Sequence, residues 1–226
     1  MVIDNDQSQL VNFSDFERTK IAIVYNGMSV SYGNLFDSVN QLSNDLDYFG
    51  INKGDIVAIY MSNSVEMVIA IFATMKCGAV VLPINIALPQ TQIDHILLES
   101  NAQILLCNFQ IDNIKDNYVP ILRVNYASLI ERRALQGQTV INCNPKDLAY
   151  CIYTSGSSGI PKGVLLTYEG IINHINAKVA LLNLTCQSRM CLSFNLGFVA
   201  SIWQILTPIL LGARLYIYDS DLIKKP

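Results

Sequence analysis

The feature that most constrains the fold of this chain is the regular alternation of short apolar runs with longer segments of helical periodicity. The apolar runs, which are typical of buried strands, are residues 55–60, 79–82, 104–107, 121–124, 148–152, 190–192 and 215–218. The helical segments are residues 33–49, 64–76, 90–99, 169–182 and 200–210. Strands that alternate with helices form β–α–β units, whose parallel strands carry helices on their faces. We therefore predict an α/β fold with mostly parallel sheets and helices on their faces.

Polar residues and glycine mark the ends of the first two helices. Ser31 can cap the helix over residues 33–49, and Gly50 ends it. Asn63 or Ser64 can cap the next helix, which is apolar almost all round and is therefore expected to be buried.

The composition limits the class of protein and its partners. Of the 226 residues, 51% are hydrophobic and 15% are charged, which is typical of a globular chain with a sizeable core. The net charge of −3 and the lack of a basic cluster argue against nucleic-acid binding. Residues 1–6 are polar and acidic and carry no secretory signal, so we expect a cytoplasmic protein. Residues 196–213 are largely apolar but include Gln204 and Pro208, and they predict a buried helix and turn rather than a membrane span.

Three further features concern metal binding, catalysis and domain organisation. The six cysteines form no C-x-x-C pair, which favours reduced structural thiols and predicts no metal site. His95 and His174 each lie alone on a predicted helix and are interpreted as structural or surface histidines. The polar stretch 135–147 is the best candidate linker and indicates a possible boundary within the chain.

A stretch rich in glycine and hydroxyl residues, with one lysine, directly follows the apolar run 148–152. Its residues are Tyr153, Thr154, Ser155, Gly156, Ser157, Ser158, Gly159, Ile160, Pro161, Lys162 and Gly163. Glycines let successive backbone N–H groups approach an anion closely, and the hydroxyl groups add donors. Lys162 supplies positive charge for a phosphate, and Pro161 stiffens the turn before it. The stretch therefore predicts a loop that binds the phosphates of a nucleotide.

Two other interpretations of this stretch are weaker. A flexible linker is usual for a Gly/Ser run, but here apolar runs lead both into the stretch and out of it, the latter at residues 164–166. A P-loop has the spacing G-x-x-x-x-G-K-[ST], which is absent because Gly163 follows the lysine. A Walker-type magnesium site is therefore not expected.

Three motifs, in the same order along the chain, resemble those of the adenylate-forming superfamily, and within it the adenylation domains of nonribosomal peptide synthetases. They are residues 30–35 (VSYGNL), 75–85 (MKCGAVVLPIN) and 148–163 (LAYCIYTSGSSGIPKG). Asn34 stands where the family usually has glutamate. The resemblance extends over residues 13–217 and implies the superfamily's N-terminal subdomain in incomplete form. Residues 1–226 would then be the N-terminal portion of an AMP-binding domain.

A fourth motif bears on the substrate. In amino-acid-activating relatives a phenylalanine is followed by an aspartate that holds the substrate ammonium, and the matching run here is residues 198–205 (FVASIWQI). Val199 occupies the aspartate position and offers a cation neither a charge nor a hydrogen bond. We therefore predict an acid without an α-ammonium, with an aliphatic α-keto or α-hydroxy acid ahead of an aryl or fatty acid. A shifted alignment, which places Asn195 at the aspartate position, is the alternative.

The resemblance also implies an activity with its cofactors and partners. ATP, with Mg²⁺, and a small carboxylic acid would give an acyl-adenylate, which passes to the phosphopantetheine thiol of a peptidyl carrier protein, as in depsipeptide assembly. The residues implied to act on the phosphates are Thr154 and Lys162 as catalytic groups, with Ser155, Gly156, Ser157, Ser158, Gly159, Pro161 and Gly163. The residues implied to line the acid pocket are Phe198, Val199, Ala200 and Trp203. For Trp203, ordinary core packing is the alternative role.

Motifs that the family carries further along, for adenine, magnesium and ribose, are not found up to Pro226. The resemblance therefore predicts part of a ligase that is inactive alone and has the remainder of the adenylation domain as a partner. A non-catalytic adenylation-like structural module and a part of an acyl-CoA synthetase are the alternatives. Neither nucleic acid nor a membrane is an expected partner.

Overall fold

The computed structural model of the protein describes residues 9–111, 119–132, 140–155 and 161–218. The strands in these ranges are β1 (Gln9–Asn12), β2 (Ile21–Tyr25), β3 (Met28–Ser31), β4 (Ile56–Tyr60), β5 (Val80–Pro83), β6 (Ile104–Cys107), β7 (Ile121–Arg123), β8 (Val140–Asn142), β9 (Leu148–Ser155), β10 (Pro161–Thr167), β11 (Arg189–Leu192) and β12 (Arg214–Ile217). The helices are α1 (Tyr32–Tyr48), α2 (Val65–Lys76), α3 (Gln90–Ser100), α4 (Tyr126–Glu131), α5 (Tyr168–Leu182) and α6 (Val199–Leu210), with a 3₁₀ turn at Phe13–Asp15.

The strands form two larger sheets and one small one. The six-stranded sheet has the order β10-β9-β5-β4-β6-β7, and all its neighbours are parallel except β9 and β10. The four-stranded sheet has the order β11-β12-β2-β3, in which β3 is the antiparallel strand. β1 pairs with β8 in an antiparallel ribbon. The prediction of an α/β fold with mostly parallel sheets is confirmed.

Both predicted helix starts are stabilised by side-chain caps. The Ser31 hydroxyl accepts a hydrogen bond from the Asn34 amide at 3.2 Å, at the start of α1. Of the two candidates for α2, Ser64 is the cap, since its hydroxyl accepts from the Met67 amide at 3.2 Å. Each such bond satisfies an amide that has no partner within the helix.

The six-stranded sheet is covered on both faces, which explains why its central strands are continuous apolar runs. One face joins the main core, to which α2 contributes the fully buried Phe72. The other face packs Ala58 and Leu82 against α3, including Ile93 and Leu97. The near-complete burial of α2 follows from its apolar composition, as predicted.

Part of the stretch predicted as a linker is regular structure. β8 occupies residues 140–142, and Ile141 is fully buried in the main core. Residues 133–139 lie outside the described part of the chain. Cys143 is buried in the main core as well, and the exposed Asn142 and Asn144 on either side of it give this stretch its polar character. A boundary near residues 135–147 stays a prediction.

The apolar segment near the end of the chain forms a short buried helix. α6 spans 12 residues and contains Pro208. None of the helices in the described ranges is long and apolar enough to cross a bilayer. The six cysteines are free thiols; Cys107, Cys143 and Cys151 are buried, whereas Cys186 and Cys191 are exposed. Burial raises the pKa of Cys143 to about 11, so this thiol stays protonated near neutral pH.

Tyr32, the first residue of α1, ties this helix to the turn between α6 and β12. It is fully buried, and its hydroxyl donates to the Ala213 carbonyl at 2.7 Å. Desolvation raises its pKa, so the phenol stays a donor.

We expect Tyr32→Phe to lower the free energy of unfolding by about 1–2 kcal/mol, because a buried carbonyl loses its donor. Urea denaturation of the 226-residue chain measures this. Tyr48→Phe is the matched control, since Tyr48 is 88% exposed. Equal urea midpoints for the two variants would contradict this prediction.

Candidate functional site

The predicted phosphate loop lies at the end of a β-hairpin formed by β9 and β10. Pro161 pairs with Ser155, Lys162 with Thr154 and Gly163 with Tyr153. The residues between the strands are numbers 156–160 and lie outside the described part of the chain, as do the predicted phosphate ligands Gly156, Ser157, Ser158 and Gly159. The structure therefore describes the two strands that carry the loop.

Thr154 and Lys162 lie directly opposite each other on the two strands. Opposed residues of an antiparallel pair project from the same face of a sheet, so the hydroxyl and the ammonium lie on one face. Both residues are exposed, and Pro161 is half-buried. At Gly163 a Cβ atom would lie 3.2 Å from the Cys151 sulfur and from the Tyr153 ring, so the glycine permits close packing beside the loop.

Three of the four residues predicted to line the acid pocket share one cavity. This cavity, of about 590 Å³, lies between β10, α5 and α6. Its lining residues are Leu165, Leu166, Thr167, Gly170, Ile171, His174, Ile175, Lys178, Val199, Ala200, Ile202 and Trp203. Val199 and Trp203 are four residues apart on α6, which places them on the same face of the helix. Val199 is 61% exposed and lies at the open side of the cavity.

Phe198 lies elsewhere. It precedes α6 with an extended backbone, φ −98° and ψ 134°, so its side chain does not follow the helical face of Val199 and Trp203. It lines a second cavity of about 390 Å³ at the ends of β4, β5 and β11. Asn195, the residue that the shifted alignment places at the aspartate position, lines this second cavity as well. The two alignments therefore correspond to two different cavities.

Hydrogen bonds hold α6 and the segment before it against both sheets. The Gln204 side chain accepts from the Ser193 amide and donates to the Ser193 hydroxyl, each at 3.0 Å, which joins α6 to the end of β11. The Asn63 side chain donates to the Phe194 carbonyl at 3.1 Å, which joins that segment to the six-stranded sheet. At Gly197 a Cβ atom would lie 2.6 Å from that of Asn85, so only glycine fits this crossing.

The charge of the first cavity differs from what an amino-acid substrate needs. Among its described lining residues there is no aspartate or glutamate, and Lys178 is the cationic one. The Lys178 ammonium lies 5.7 Å from the centroid of the Trp203 ring, a cation–π geometry. His174, one turn earlier on α5, is exposed, in keeping with its interpretation as a structural or surface histidine, and it also lines the cavity. Within the described ranges no group of three or more His, Cys, Asp or Glu side chains could hold a metal ion.

His174 and Lys178 were not predicted from the sequence to line this cavity. Their spacing of four places both on one face of α5, which is a detectable signal. That this face meets Trp203 depends on the packing of α5 on α6, and one sequence does not specify that packing.

Comparison with known proteins identifies relatives for nearly the whole chain. A sequence profile of the family described as AMP-binding enzyme matches residues 13–225. Tyrocidine synthase 1 of Brevibacillus parabrevis is 33% identical over 211 residues, which are 90% of this chain and 19% of that protein. The chain thus spans about a fifth of the length of this relative.

Two solved structures share the architecture. The Klebsiella oxytoca NpsA N-terminal subdomain, in complex with 3-hydroxybenzoyl-AMSN, superimposes with a TM-score of 0.77 at 27% identity. The match covers 91% of this chain and 51% of that subdomain chain. The nonribosomal peptide synthetase FmoA3 in its AMPPNP-bound form gives a TM-score of 0.80 at 25% identity, over 96% of this chain and 23% of FmoA3.

Proposed function

Since the chain belongs to the AMP-binding enzyme family, we propose that it is part of an ATP-dependent ligase that activates a carboxylic acid as its acyl-adenylate. In this reaction a carboxylate oxygen bonds to the α-phosphorus of ATP, and the bond to pyrophosphate breaks. The similarity to a tyrocidine synthase and to the AMPPNP-bound FmoA3 synthetase supports this activity. The reaction asks the protein mainly to position its substrates and to stabilise charge.

The hairpin of β9 and β10 would supply the phosphate-binding groups. Lys162 and Thr154 project from one face at its end, where an ammonium and a hydroxyl can both donate to phosphate oxygens. Lys162 would balance the charge of the departing pyrophosphate. Mg²⁺ accompanies ATP in the proposed reaction, and no residue of the described part is assigned to it.

The acid would occupy the cavity between β10, α5 and α6. The observation that carries the substrate assignment is Val199, at the rim of a cavity whose described lining includes no carboxylate. An α-ammonium taken from water into such a site would lack a counter-charge, and this costs several kcal/mol. An α-keto or α-hydroxy acid with an aliphatic side chain brings no such charge, and the apolar lining suits its side chain.

The acyl-adenylate would then pass to a phosphopantetheine thiol on a peptidyl carrier protein. The edge of the six-stranded sheet at β10 is suited to the remainder of the adenylation domain as its partner. Val164 and Leu165 on this strand are 46% and 53% exposed and point to opposite faces of the sheet. An edge strand with exposed apolar side chains is a surface on which further chain can pack.

Pyrophosphate exchange with a panel of acids tests the substrate assignment on the enzyme of which this chain is part. We expect an α-keto or α-hydroxy acid to exceed its amino-acid analogue by about 10- to 100-fold in kcat/KM, because only the amino acid must bury an unpaired cation. The aryl and fatty acids in the panel are controls for the size of the pocket. Fastest exchange with ordinary α-amino acids would refute the assignment.

A further inference from the structure

Lys178, on α5, lies outside every motif described above. Within the described part of the chain its ammonium forms no hydrogen bond or ion pair, and its partner is the ring of Trp203 at 5.7 Å. A cation–π contact leaves the three N–H donors of an ammonium available. The cavity therefore contains a cation with unused donors in a mostly apolar lining.

The position of Lys178 relates it to Val199. Trp203 follows Val199 by four residues on α6, so the two lie one helical turn apart on the same face. Lys178 reaches that face from α5, and all three residues line the same cavity. Lys178 and Val199, the residue at the position where amino-acid-activating relatives carry an aspartate, thus line the same cavity, and each neighbours Trp203.

We propose that Lys178 selects the substituent at the α-carbon of the acid, donating a hydrogen bond to a ketone or hydroxyl oxygen and repelling an ammonium; this rests on the proposed function of the cavity. The polarity of the site is then opposite to that of a site with an aspartate at position 199, because Val199 carries no charge and Lys178 contributes a positive one. A charged donor in an apolar site binds an oxygen acceptor strongly and opposes a like charge at short range.

Trp203 provides a direct readout, since it is the only tryptophan of the 226-residue chain and lies beneath Lys178. The proposed test is a titration of Trp203 fluorescence that measures the affinity of the chain for four acids of one carbon skeleton. The acids are 4-methyl-2-oxopentanoate, 2-hydroxy-4-methylpentanoate, 4-methylpentanoate and leucine. In the unaltered chain the keto and hydroxy acids are expected to bind about 5- to 20-fold more tightly than the unsubstituted acid. Leucine is expected to bind most weakly.

Substitutions then assign this preference to the ammonium. Lys178→Met keeps the stem and removes the charge, and it should abolish the preference for the keto and hydroxy acids while leaving the unsubstituted acid unchanged. Lys178→Arg should restore the preference. Lys146→Met, an equal charge change at an exposed lysine outside the cavity, should leave all four affinities unaltered.

Other binding results would contradict either the role of Lys178 or the assignment of the cavity. A preference that persists in Lys178→Met refutes the role of Lys178 and leaves the proposed function intact. Equal weakening of all four acids shows that Lys178 binds the common carboxylate, which also refutes the inference. A Trp203 emission that no acid changes refutes the assignment of the cavity itself, and with it the acid site of the proposed function. The ranking of the acids in the unaltered chain supports or refutes the inference even if Lys178→Met does not fold.

Discussion

Lys162→Met is expected to lower the rate of acyl-adenylate formation by the enzyme containing this chain by about 100- to 1000-fold. The loss of one group that stabilises charge in a transition state commonly has this size. Methionine keeps a stem of similar length, so the hairpin of β9 and β10 should be retained. Lys162 is exposed and opposite Thr154, and its proposed role is to balance the charge of the departing pyrophosphate.

Single-turnover formation of the adenylate, measured with saturating acid and ATP, tests this prediction. Lys146→Met is the control, because it removes an equal charge from another exposed site. A fall in kcat with little change in KM would indicate that Lys162 acts mainly in the transition state. An unchanged rate in Lys162→Met would remove this lysine from the proposed mechanism.

Among the glycines of positive φ in the described part of the chain, Gly212 should be the one whose replacement by alanine is most destabilising, by about 2–5 kcal/mol. Gly212 follows α6 with φ +67°, a backbone conformation that costs other L-residues about 1–2 kcal/mol. A Cβ atom there would also lie 2.7 Å from the Phe16 ring, and an overpacked core contact costs a further 1–3 kcal/mol, roughly.

Gly27→Ala separates these two causes. Gly27 has φ +80°, but nothing lies within 4 Å of the position its Cβ would take. Thermal or urea unfolding should therefore show a loss of only about 1–2 kcal/mol in Gly27→Ala, because the backbone cost remains and the clash is absent. Equal losses in the two variants would show that the Phe16 ring yields without cost.

The elements predicted correctly from sequence are those whose signal is local. α1 and α2 have capping serines, and β4, β5 and β6 are fully covered strands that read as continuous apolar runs. β1 and β8 were not predicted, because each is short and each is stabilised by pairing with the other, which lies more than 120 residues away in the sequence. β10 runs antiparallel to β9, a direction that the apolar run 164–166 alone could not reveal.

In the candidate site, too, the features predicted correctly are local in sequence, whereas the others depend on tertiary packing. The spacing of Val199 and Trp203 on one helix is a property of the sequence, and both line the cavity between β10, α5 and α6. Phe198 was grouped with them, but its extended backbone carries it to the second cavity. Lys178 meets Trp203 only through the packing of α5 against α6, which depends on many residues at once. The predicted roles of Thr154 and Lys162 stay predictions.

The pairing of β2 with β12 has a consequence for the order in which the protein can fold during synthesis. β2 and β3 emerge from the ribosome early, whereas β12, which completes the other edge of β2, lies near residue 217. Until then the nascent hairpin presents an unpaired, apolar strand edge, the kind of surface that other chains and chaperones recognise. Slowing translation before β12 has emerged from the ribosome should therefore increase aggregation or chaperone binding more than slowing it afterwards.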